Sequence, residues 1–333
     1  MTIRHLVLTA ICATITAAHA QGQPSTRLEI ERVEAGRFRA LTEPPCSYCS
    51  TQDLKGFIRR DDRVVAWLRA AHNGGAIPIR HFLSGPRVIN DTYGLFFYDP
   101  DGGFVAAYQK DYGYELIGWR NGVMVAQGPD GTLWSTLSGR AIEGPKKGSR
   151  LQRIPSIVTT WGHWLMLHPE STAYNLFDGK RYTPTPLPTK MSETARRSMG
   201  QVDPRLKPSV SVLGVEVADS GKAYPLDGLS ERDCLRDRVK GRDIAVFWYA
   251  PTQTAVAFES KVGNQTLTLY ADTVSPETAP FKDKETGTRW TLAGRAVDGP
   301  LRGKELNWVN SVQCRWHAWS AEFPETEIYD SSN

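Results

Sequence analysis

Short runs of β-branched and aromatic residues, separated by turn dipeptides, recur along most of the chain. Asn-Gly at 121–122 and Asp-Gly at 101–102 and 130–131 stand between several runs. These dipeptides favour tight hairpin turns because Asn, Asp and Gly tolerate positive φ. The pattern predicts antiparallel β-structure in the following runs: Val64–Leu68, Ala76–Phe82, Gly94–Tyr98, Phe104–Gln109, Tyr114–Trp119, Val123–Gln127, Ser211–Glu216, Asp243–Tyr249, Ala255–Glu259 and Thr266–Ala271.

Two segments, Thr159–His168 and Gln313–Phe323, are predicted to be helices. Each contains two tryptophans three positions apart, which places both rings on one helical face. A proline follows each segment and ends the helix. We expect the tryptophans to pack in the core; a sugar-binding platform is the alternative. The residues concerned are Trp161, Trp164 and Pro169, and Trp316, Trp319 and Pro324.

The chain contains a similar stretch twice. Residues 130–174 and 286–329 align with one gap, and 18 of the 44 aligned positions are identical. Chance gives only a few identities over this length, so the similarity predicts an internal duplication. The predicted fold is therefore mainly β (α+β), with two homologous antiparallel β-rich halves that each carry one short Trp-x-x-Trp helix.

The duplication sets the predicted domain boundaries. A signal peptide at 1–20 and an N-terminal segment at 21–51 precede the first β-rich repeat at 52–176. A linker at 177–207, in which three prolines lie close together, leads to the second repeat at 208–331.

The 333 residues include 40 basic and 36 acidic side chains, which give a net charge of +4. This balance argues against a dedicated nucleic-acid-binding protein, because such proteins usually carry a concentrated basic face. The first half carries a charge of +3 and the second a charge of −4. These opposite signs favour docking of the halves, although salt screens such a field within about 8 Å.

The N-terminus has the pattern of a secretory signal peptide. Arg4 gives a positive start, Leu6–Ala18 is apolar and uncharged, and Ala18-His19-Ala20 is a small-residue cleavage pattern. We expect cleavage after Ala20 and a periplasmic or secreted protein. No later stretch is apolar for 18 residues, so no other membrane span is predicted.

Four cysteines remain after cleavage, an even number that suits an oxidising compartment. Cys46 and Cys49 form a C-x-x-C motif, for which a structural disulfide is the first interpretation. A copper or zinc site and a redox pair are the alternatives. Cys234 and Cys314 are expected to form a second disulfide that closes a loop of about 80 residues.

Polar residues with possible chemistry cluster near two predicted strands. Asn90, Asp91, Asp99 and Asp101 are candidates for an acid/base pair or a cation site. Asp-Pro-Asp-Gly is also a good turn sequence, so local hydrogen bonding is the alternative.

Two arginines recur between a glycine and an alanine, one in each half. Arg140 and Arg295 are candidates for anion binding, and a tie between a turn and a carboxylate is the alternative. The histidines lack the spacing of a paired metal site.

Several motifs resemble the bacterial family DUF3179, a domain of unknown function. They are the run Leu133–Pro145, then Thr159-Thr160-Trp161, Trp164 and His168-Pro169, with Val88–Thr92 and Ala223–Leu226. The resemblance covers both halves, and implies an exported bacterial protein without giving an activity. His168, in the His-Pro element, thereby joins the candidate catalytic residues.

The chain departs from the family pattern at two places in each half. The family's Tyr-Cys-Pro-Leu-Cys element is replaced by Tyr98–Gly102 and by Tyr249–Gln253, which lack cysteine. Its His-Glu pair is replaced by Ser84-Gly85-Pro86 and by Arg232-Asp233.

Three functions are compatible with these features. The first is a non-catalytic protein that binds a small molecule or a periplasmic protein, or acts as a scaffold, and the missing family residues favour it. The second is an enzyme with a site in the first half. The third is a metal or redox accessory protein that uses Cys46 and Cys49.

Overall fold

The structure, a computed structural model, describes residues 29–44, 58–68, 74–83, 87–174 and 190–330. Strands dominate it, as the sequence predicts. The first part of the chain contains β1 (Glu31–Arg32), β2 (Leu41–Thr42), β3 (Arg63–Leu68), β4 (Gly74–Pro78), β5 (Val88–Asp91), β6 (Gly94–Asp99), β7 (Phe104–Tyr108), β8 (Glu115–Arg120), β9 (Val123–Gln127), β10 (Leu133–Ser135), β11 (Ala141–Glu143), β12 (Ile157–Thr160) and β13 (Thr172–Ala173).

The second part of the chain continues with a comparable set of strands. These are β14 (Ser211–Val217), β15 (Ser220–Pro225), β16 (Arg232–Val239), β17 (Arg242–Tyr249), β18 (Thr254–Glu259), β19 (Lys261–Val262), β20 (Gln265–Thr266), β21 (Leu269–Ala271), β22 (Phe281–Asp283), β23 (Arg289–Trp290), β24 (Ala296–Asp298), β25 (Ser311–Arg315) and β26 (Glu327–Ile328). The α-helices are α1 (Ile79–Leu83), α2 (Trp161–Leu167), α3 (Glu193–Arg197) and α4 (Trp316–Glu322), and a 3-10 turn spans Ala250–Thr252.

Each part of the chain contains a four-stranded sheet of the same strand order. In the first it is β12-β3-β4-β13, and in the second it is β25-β14-β15-β26. In both sheets the last strand pairs in parallel and the other pairs are antiparallel. The remaining sheets are β2-β5-β6-β7 and β1-β8-β9-β10-β11 in the first part, and β16-β17-β18, β19-β20 and β21-β22-β23-β24 in the second.

The structure confirms that both tryptophan-containing segments are helical, but the helices are shorter than predicted. α2 and α4 begin at Trp161 and Trp316 because the residues before them belong to strands. Thr160, the last residue of β12, caps α2 by accepting a hydrogen bond from the backbone N–H of His163 at 3.4 Å. All four helix tryptophans are buried, as expected for core residues.

Two predicted strands are interrupted. Thr266–Ala271 is divided between β20 and β21, with residues 267 and 268 outside both strands. Ala76–Phe82 is wrong in its second half. The run Ala76–Phe82 is split, because β4 ends at Pro78 and α1 begins at Ile79. A proline cannot donate to the next ladder position, so the strand stops there.

Two of the four hydrophobic clusters combine residues from both parts of the chain. In the first, α4 contributes Trp316 and Trp319 to a cluster that also holds Phe97 and Trp134. In the second, α2 contributes Trp161 and Trp164 to a cluster that holds Phe247 and Trp290. Each four-stranded sheet therefore packs its helix-bearing face against strands of the other half. The two remaining clusters lie within one half each.

Ion pairs also join the two parts. The Arg150 guanidinium contacts the carboxylates of Glu216, which is buried, and Asp219, which is exposed. The basic residue belongs to the first half and both acids to the second, in line with the opposite charges of the halves. The exposed Arg150–Asp219 pair contributes at most about 1 kcal/mol. The shared clusters bury many large apolar side chains, so they dominate the association.

The predicted disulfide between Cys234 and Cys314 is absent, and both residues are free thiols. The reason is their placement: Cys234 packs against the cluster containing Phe247, whereas Cys314 is a member of the cluster containing Trp316. Burial raises the pKa of both thiols, that of Cys234 to about 12. The other cysteine pair, Cys46 and Cys49, lies outside the described residues, as do the signal peptide and residues 177–189 of the predicted linker.

Candidate functional site

A cleft with a volume of about 520 Å³ lies where the two halves meet. Its charged and polar lining residues are Arg63, Arg315, Asp227, Ser211, Gln253 and Gln313, and its apolar ones include Tyr98, Val158, Leu226 and Trp248. The cleft therefore takes residues from sheets of both halves.

Two arginines lie in the cleft, and each donates hydrogen bonds to a turn in the other half. Arg63, at the start of β3, donates hydrogen bonds to the backbone carbonyls of Thr252 and Gln253, the latter at 3.1 Å. Arg315, at the end of β25, donates to the Asp101 carbonyl at 3.1 Å. Its own backbone N–H donates to the Gly102 carbonyl at 2.8 Å.

Gly103 allows Arg315 to approach the turn closely. Its φ is +67°, and a Cβ added there would lie 3.0 Å from Cγ of Arg315. Gln253 directly precedes β18, as Gly103 directly precedes β7, and it also has a positive φ, of +47°. The two turns that receive the arginines thus share an unusual backbone conformation.

The cleft has an excess of positive charge. Neither Arg63 nor Arg315 forms an ion pair with any described carboxylate, and Asp227 is the single carboxylate among the described residues that line the cavity. Burial lowers the pKa of Arg63 to about 10, which still leaves it charged at neutral pH. A guanidinium satisfied only by carbonyls retains an attraction for anions.

The carboxylate of Asp99 is fully buried and holds a turn together. Its Oδ1 accepts hydrogen bonds from the backbone N–H groups of Asp101 and Gly102, each at 3.0 Å. Its Oδ2 accepts from the N–H of Met124 on β9, also at 3.0 Å. Asp99 thereby ties the β6–β7 turn to the neighbouring sheet. Tyr249, at the end of β17, occupies the same hairpin position as Asp99, and Ala250 is the counterpart of Asp99 in the sequence alignment. Neither is acidic, so the second half lacks this carboxylate.

Burial and the nearby Asp101 carboxylate raise the pKa of Asp99 to about 6, against the lowering effect of its three backbone hydrogen bonds. Such a pKa would suit a general acid or base. A proton-transfer group must however reach a substrate, and this side chain is surrounded by backbone donors.

The other three predicted polar residues also bond within the fold. Both carboxylate oxygens of Asp101 accept from Ser192, at 2.6 Å from its N–H and 2.8 Å from its hydroxyl. Ser192 is the N-cap of α3, so Asp101 anchors that helix. Asn90 exchanges two hydrogen bonds with the backbone of Tyr114, and Asp91 accepts from the N–H of Tyr93.

The predicted acid/base residues lie away from the cleft. None of Asn90, Asp91, Asp99 and Asp101 lines the cleft. His168 lies elsewhere, buried at the end of α2, with its ring centroid 4.3 Å from that of Trp164.

Two predicted residues from opposite halves do meet. His168 and Arg295 line a second cavity of about 250 Å³, which we name the α2 corner; its other lining residues are Leu167, Thr291, Ala296, Val297, Arg302 and Gly303. Arg140 is placed differently, with its guanidinium carbon 5.4 Å from the centroid of the Phe323 ring.

The cleft arginines are not predictable from the sequence. Arg63 precedes a predicted strand and Arg315 lies inside a predicted helix, and neither belongs to a recognisable motif. Only the crossing of the halves brings them together. Among the described residues, no group of three or more His, Cys, Asp or Glu side chains is arranged to hold a metal ion.

These features define a mainly β protein with two four-stranded sheets of the same strand order and a cleft lined by residues from both. A family model described as "Protein of unknown function (DUF3179)" matches residues 119–326. This match spans more than half of the chain, and the protein belongs to the DUF3179 family. The matched range includes Arg140, His168 and Arg295 but not the four polar residues at 90–101. No curated protein and no solved structure matches the chain. In the described residues, no helix has the length and apolarity to cross a bilayer.

Proposed function

We propose that this protein is an exported, non-catalytic binding protein whose cleft holds a small carboxylate-bearing molecule. The observation that carries the proposal is the pair of arginines that enter the cleft from opposite halves without a carboxylate partner among the described residues. The four polar residues at 90–101 form hydrogen bonds within the fold. This supports a binding role over an acid/base enzyme.

The lining of the cleft favours a polyvalent ligand. The two guanidinium groups belong to different sheets, so a molecule with two or more carboxylates can engage both. Gln253 and Gln313 add amide groups for orientation, and the 520 Å³ volume lies within the usual range for small-molecule sites. A ligand in this position would bridge the halves and stabilise the folded chain.

The proposal is tested with Ser211→Trp, which places a large ring in the cleft from an exposed strand position. Acetate, succinate and citrate are added at constant ionic strength, and thermal unfolding is followed. At ten times its Kd, a bound ligand should raise the Tm of the wild-type protein by about 3 °C. The Ser211→Trp variant should lose this increase because the ring fills the ligand's space.

Ser149→Trp is the matched control, since Ser149 is also exposed and lies outside the cleft. It should retain the full ligand-dependent increase in Tm. The cleft proposal is wrong if none of the three carboxylates stabilises the wild-type protein, or if Ser211→Trp responds to them as Ser149→Trp does.

The export part of the proposal rests on the N-terminal pattern. We expect the chain to be recovered from the periplasmic or extracellular fraction with Gln21 as its first residue. Intact-mass measurement of the purified protein checks this, and replacing Ala18 and Ala20 by bulky residues should leave the precursor uncleaved. A full-length chain in the cytoplasmic fraction would refute export.

A further inference from the structure

The α2 corner is a small, positively charged cavity distinct from the cleft, with which it shares no lining residue. Arg295 and Arg302 are exposed at its rim, and His168 is buried in its wall. No carboxylate is among the described residues that line the cavity, and neither arginine forms an ion pair with any described side chain. Glu305, which pairs with Arg295 along the backbone, is exposed and lies outside the lining.

The chain offers a comparison at the end of α4, which we name the α4 corner. The aligned halves match Arg140 with Arg295, Phe323 with His168, and Glu322 with Leu167. The order of elements is also the same: a helix following the last antiparallel strand of the four-stranded sheet ends against a Gly-Arg-Ala turn from the other half.

The two corners differ in charge. In the α4 corner the Arg140 guanidinium packs on the Phe323 ring, and the adjacent Glu322 carboxylate accepts a hydrogen bond of 2.5 Å from the Ser138 hydroxyl. In the α2 corner that carboxylate is replaced by Leu167 and the phenyl ring by an imidazole. The α4 corner thus carries its own negative charge, whereas the described lining of the α2 corner has two guanidiniums and no carboxylate.

We propose that the α2 corner binds the oxyanion of a small phosphate- or sulfate-bearing molecule. Guanidinium groups donate in a planar fork that matches such oxygens, and they remain charged at every physiological pH. Thr291, a buried wall residue, adds a hydroxyl, and His168 adds ring nitrogens. The volume of about 250 Å³ accommodates a phosphate group with a short substituent.

Isothermal titration with inorganic phosphate, sulfate and glycerol 3-phosphate, against chloride at constant ionic strength, tests the proposal. The wild-type protein should bind at least one of them at one site per chain. Arg295→Gln should weaken binding at least tenfold, and Arg140→Gln, its counterpart in the α4 corner, should leave the affinity unchanged. Tighter binding of glycerol 3-phosphate than of phosphate would assign a phosphomonoester; equal binding would assign the free oxyanion.

Leu167→Glu provides a second, independent variant, because it restores the residue that the α4 corner carries. It should abolish oxyanion binding while thermal unfolding without ligand remains cooperative. Ser211→Trp should bind phosphate like the wild type, which separates this site from the proposed cleft. The proposal is overturned if no oxyanion binds, or if Arg140→Gln weakens binding as much as Arg295→Gln.

Discussion

Asp99→Ala is expected to destabilise the protein by about 3 kcal/mol at pH 7. The substitution leaves three buried backbone N–H groups without an acceptor, and each such loss costs about 1–3 kcal/mol. Removing a buried carboxylate offsets part of this, because its pKa of about 6 means that ionisation at pH 7 opposes folding by about 3 kcal/mol. Denaturant unfolding monitored by tryptophan fluorescence measures the difference.

Asp91→Ala is the matched control. Asp91 is as deeply buried, but its side chain accepts one described hydrogen bond, from the N–H of Tyr93 at 3.0 Å. The expected cost is about 1–2 kcal/mol. Equal effects of the two substitutions would contradict the structural role assigned to Asp99.

Asp99→Asn separates a structural role from a catalytic one. The amide can place its oxygen towards Asp101 and Gly102, but its NH₂ group then faces the N–H of Met124. Two opposed donors cost about 2 kcal/mol. Replacing the carboxyl also removes its ionisation cost of about 3 kcal/mol at pH 7, but this gain falls to about 0.5 kcal/mol at pH 4, so the variant should be less stable than the wild type at pH 4. A catalytic acid in an accessible site would show no such loss of stability on the same substitution.

The local features of the fold were predictable from the sequence. Hairpin turns depend on neighbouring residues, and Asn121 and Gly122 both take the positive φ that their dipeptide favours. The tryptophan pairs identify α2 and α4 because three-residue spacing puts both rings on one face. Even so, the residues before each helix extend into strands, since Thr159 and Thr160 pair with Val64 and Arg63 far away in the chain.

The shared clusters could not be predicted in the same way. The sequence similarity of the halves indicates two comparable sets of strands, but it does not say whether each helix packs on its own half or on the other. That choice depends on side-chain complementarity between residues such as Trp319 and Phe97, which are more than 200 positions apart. The cleft and the α2 corner both form because each helix packs on strands of the other half.

The positions of the candidate residues could not be predicted for the same reason, because they depend on partners that lie far away in the chain. The turn interpretation of Asp-Pro-Asp-Gly describes the bonds within the turn, yet Asp99 also reaches Met124 and Asp101 reaches Ser192. Repetition in the two halves marks Arg295 as a candidate, and a family-like motif marks His168. Nothing in the sequence indicates that these two, 127 positions apart, line one cavity.

Acidification from pH 7 to pH 5 is expected to destabilise the protein by about 2–3 kcal/mol. Burial lowers the pKa of His163 to about 4, and burial together with the nearby Arg80 lowers that of His81 to about 3. A histidine with a lowered folded-state pKa stabilises the fold above the unfolded value of 6.5, and this stability is lost as the pH falls. At pH 5 each of these two contributes a loss of about 2 kcal/mol.

Asp99 acts in the opposite direction. Its folded-state pKa is raised, so its contribution to stability increases as the pH falls from 6 towards 4, by about 1.4 kcal/mol at pH 5. Because the folded pKa values of both histidines lie below that of Asp99, the histidine losses continue to grow after the carboxyl has become mostly protonated. The net effect is therefore destabilising throughout the interval from pH 6.5 to pH 4.

His163→Phe isolates one of these contributions. The imidazole packs beside Tyr249 with ring centroids 5.5 Å apart, and its Nε2 is buried without a hydrogen-bond partner among the described residues, so a phenyl ring can replace it without breaking a described bond there. Stability at pH 7 should change by less than about 1.5 kcal/mol, whereas at pH 5 the variant should gain about 2 kcal/mol over the wild type. Tyr249→Phe, which alters the neighbouring ring but no group that titrates between pH 4 and 7, should keep the wild-type slope. The contrary outcome is a His163→Phe variant whose unfolding free energy falls as steeply as that of the wild type between pH 7 and pH 5. It would show that the unfolded chain binds no more protons at this position than the folded protein does, and therefore that His163 is protonated in the folded protein at pH 5.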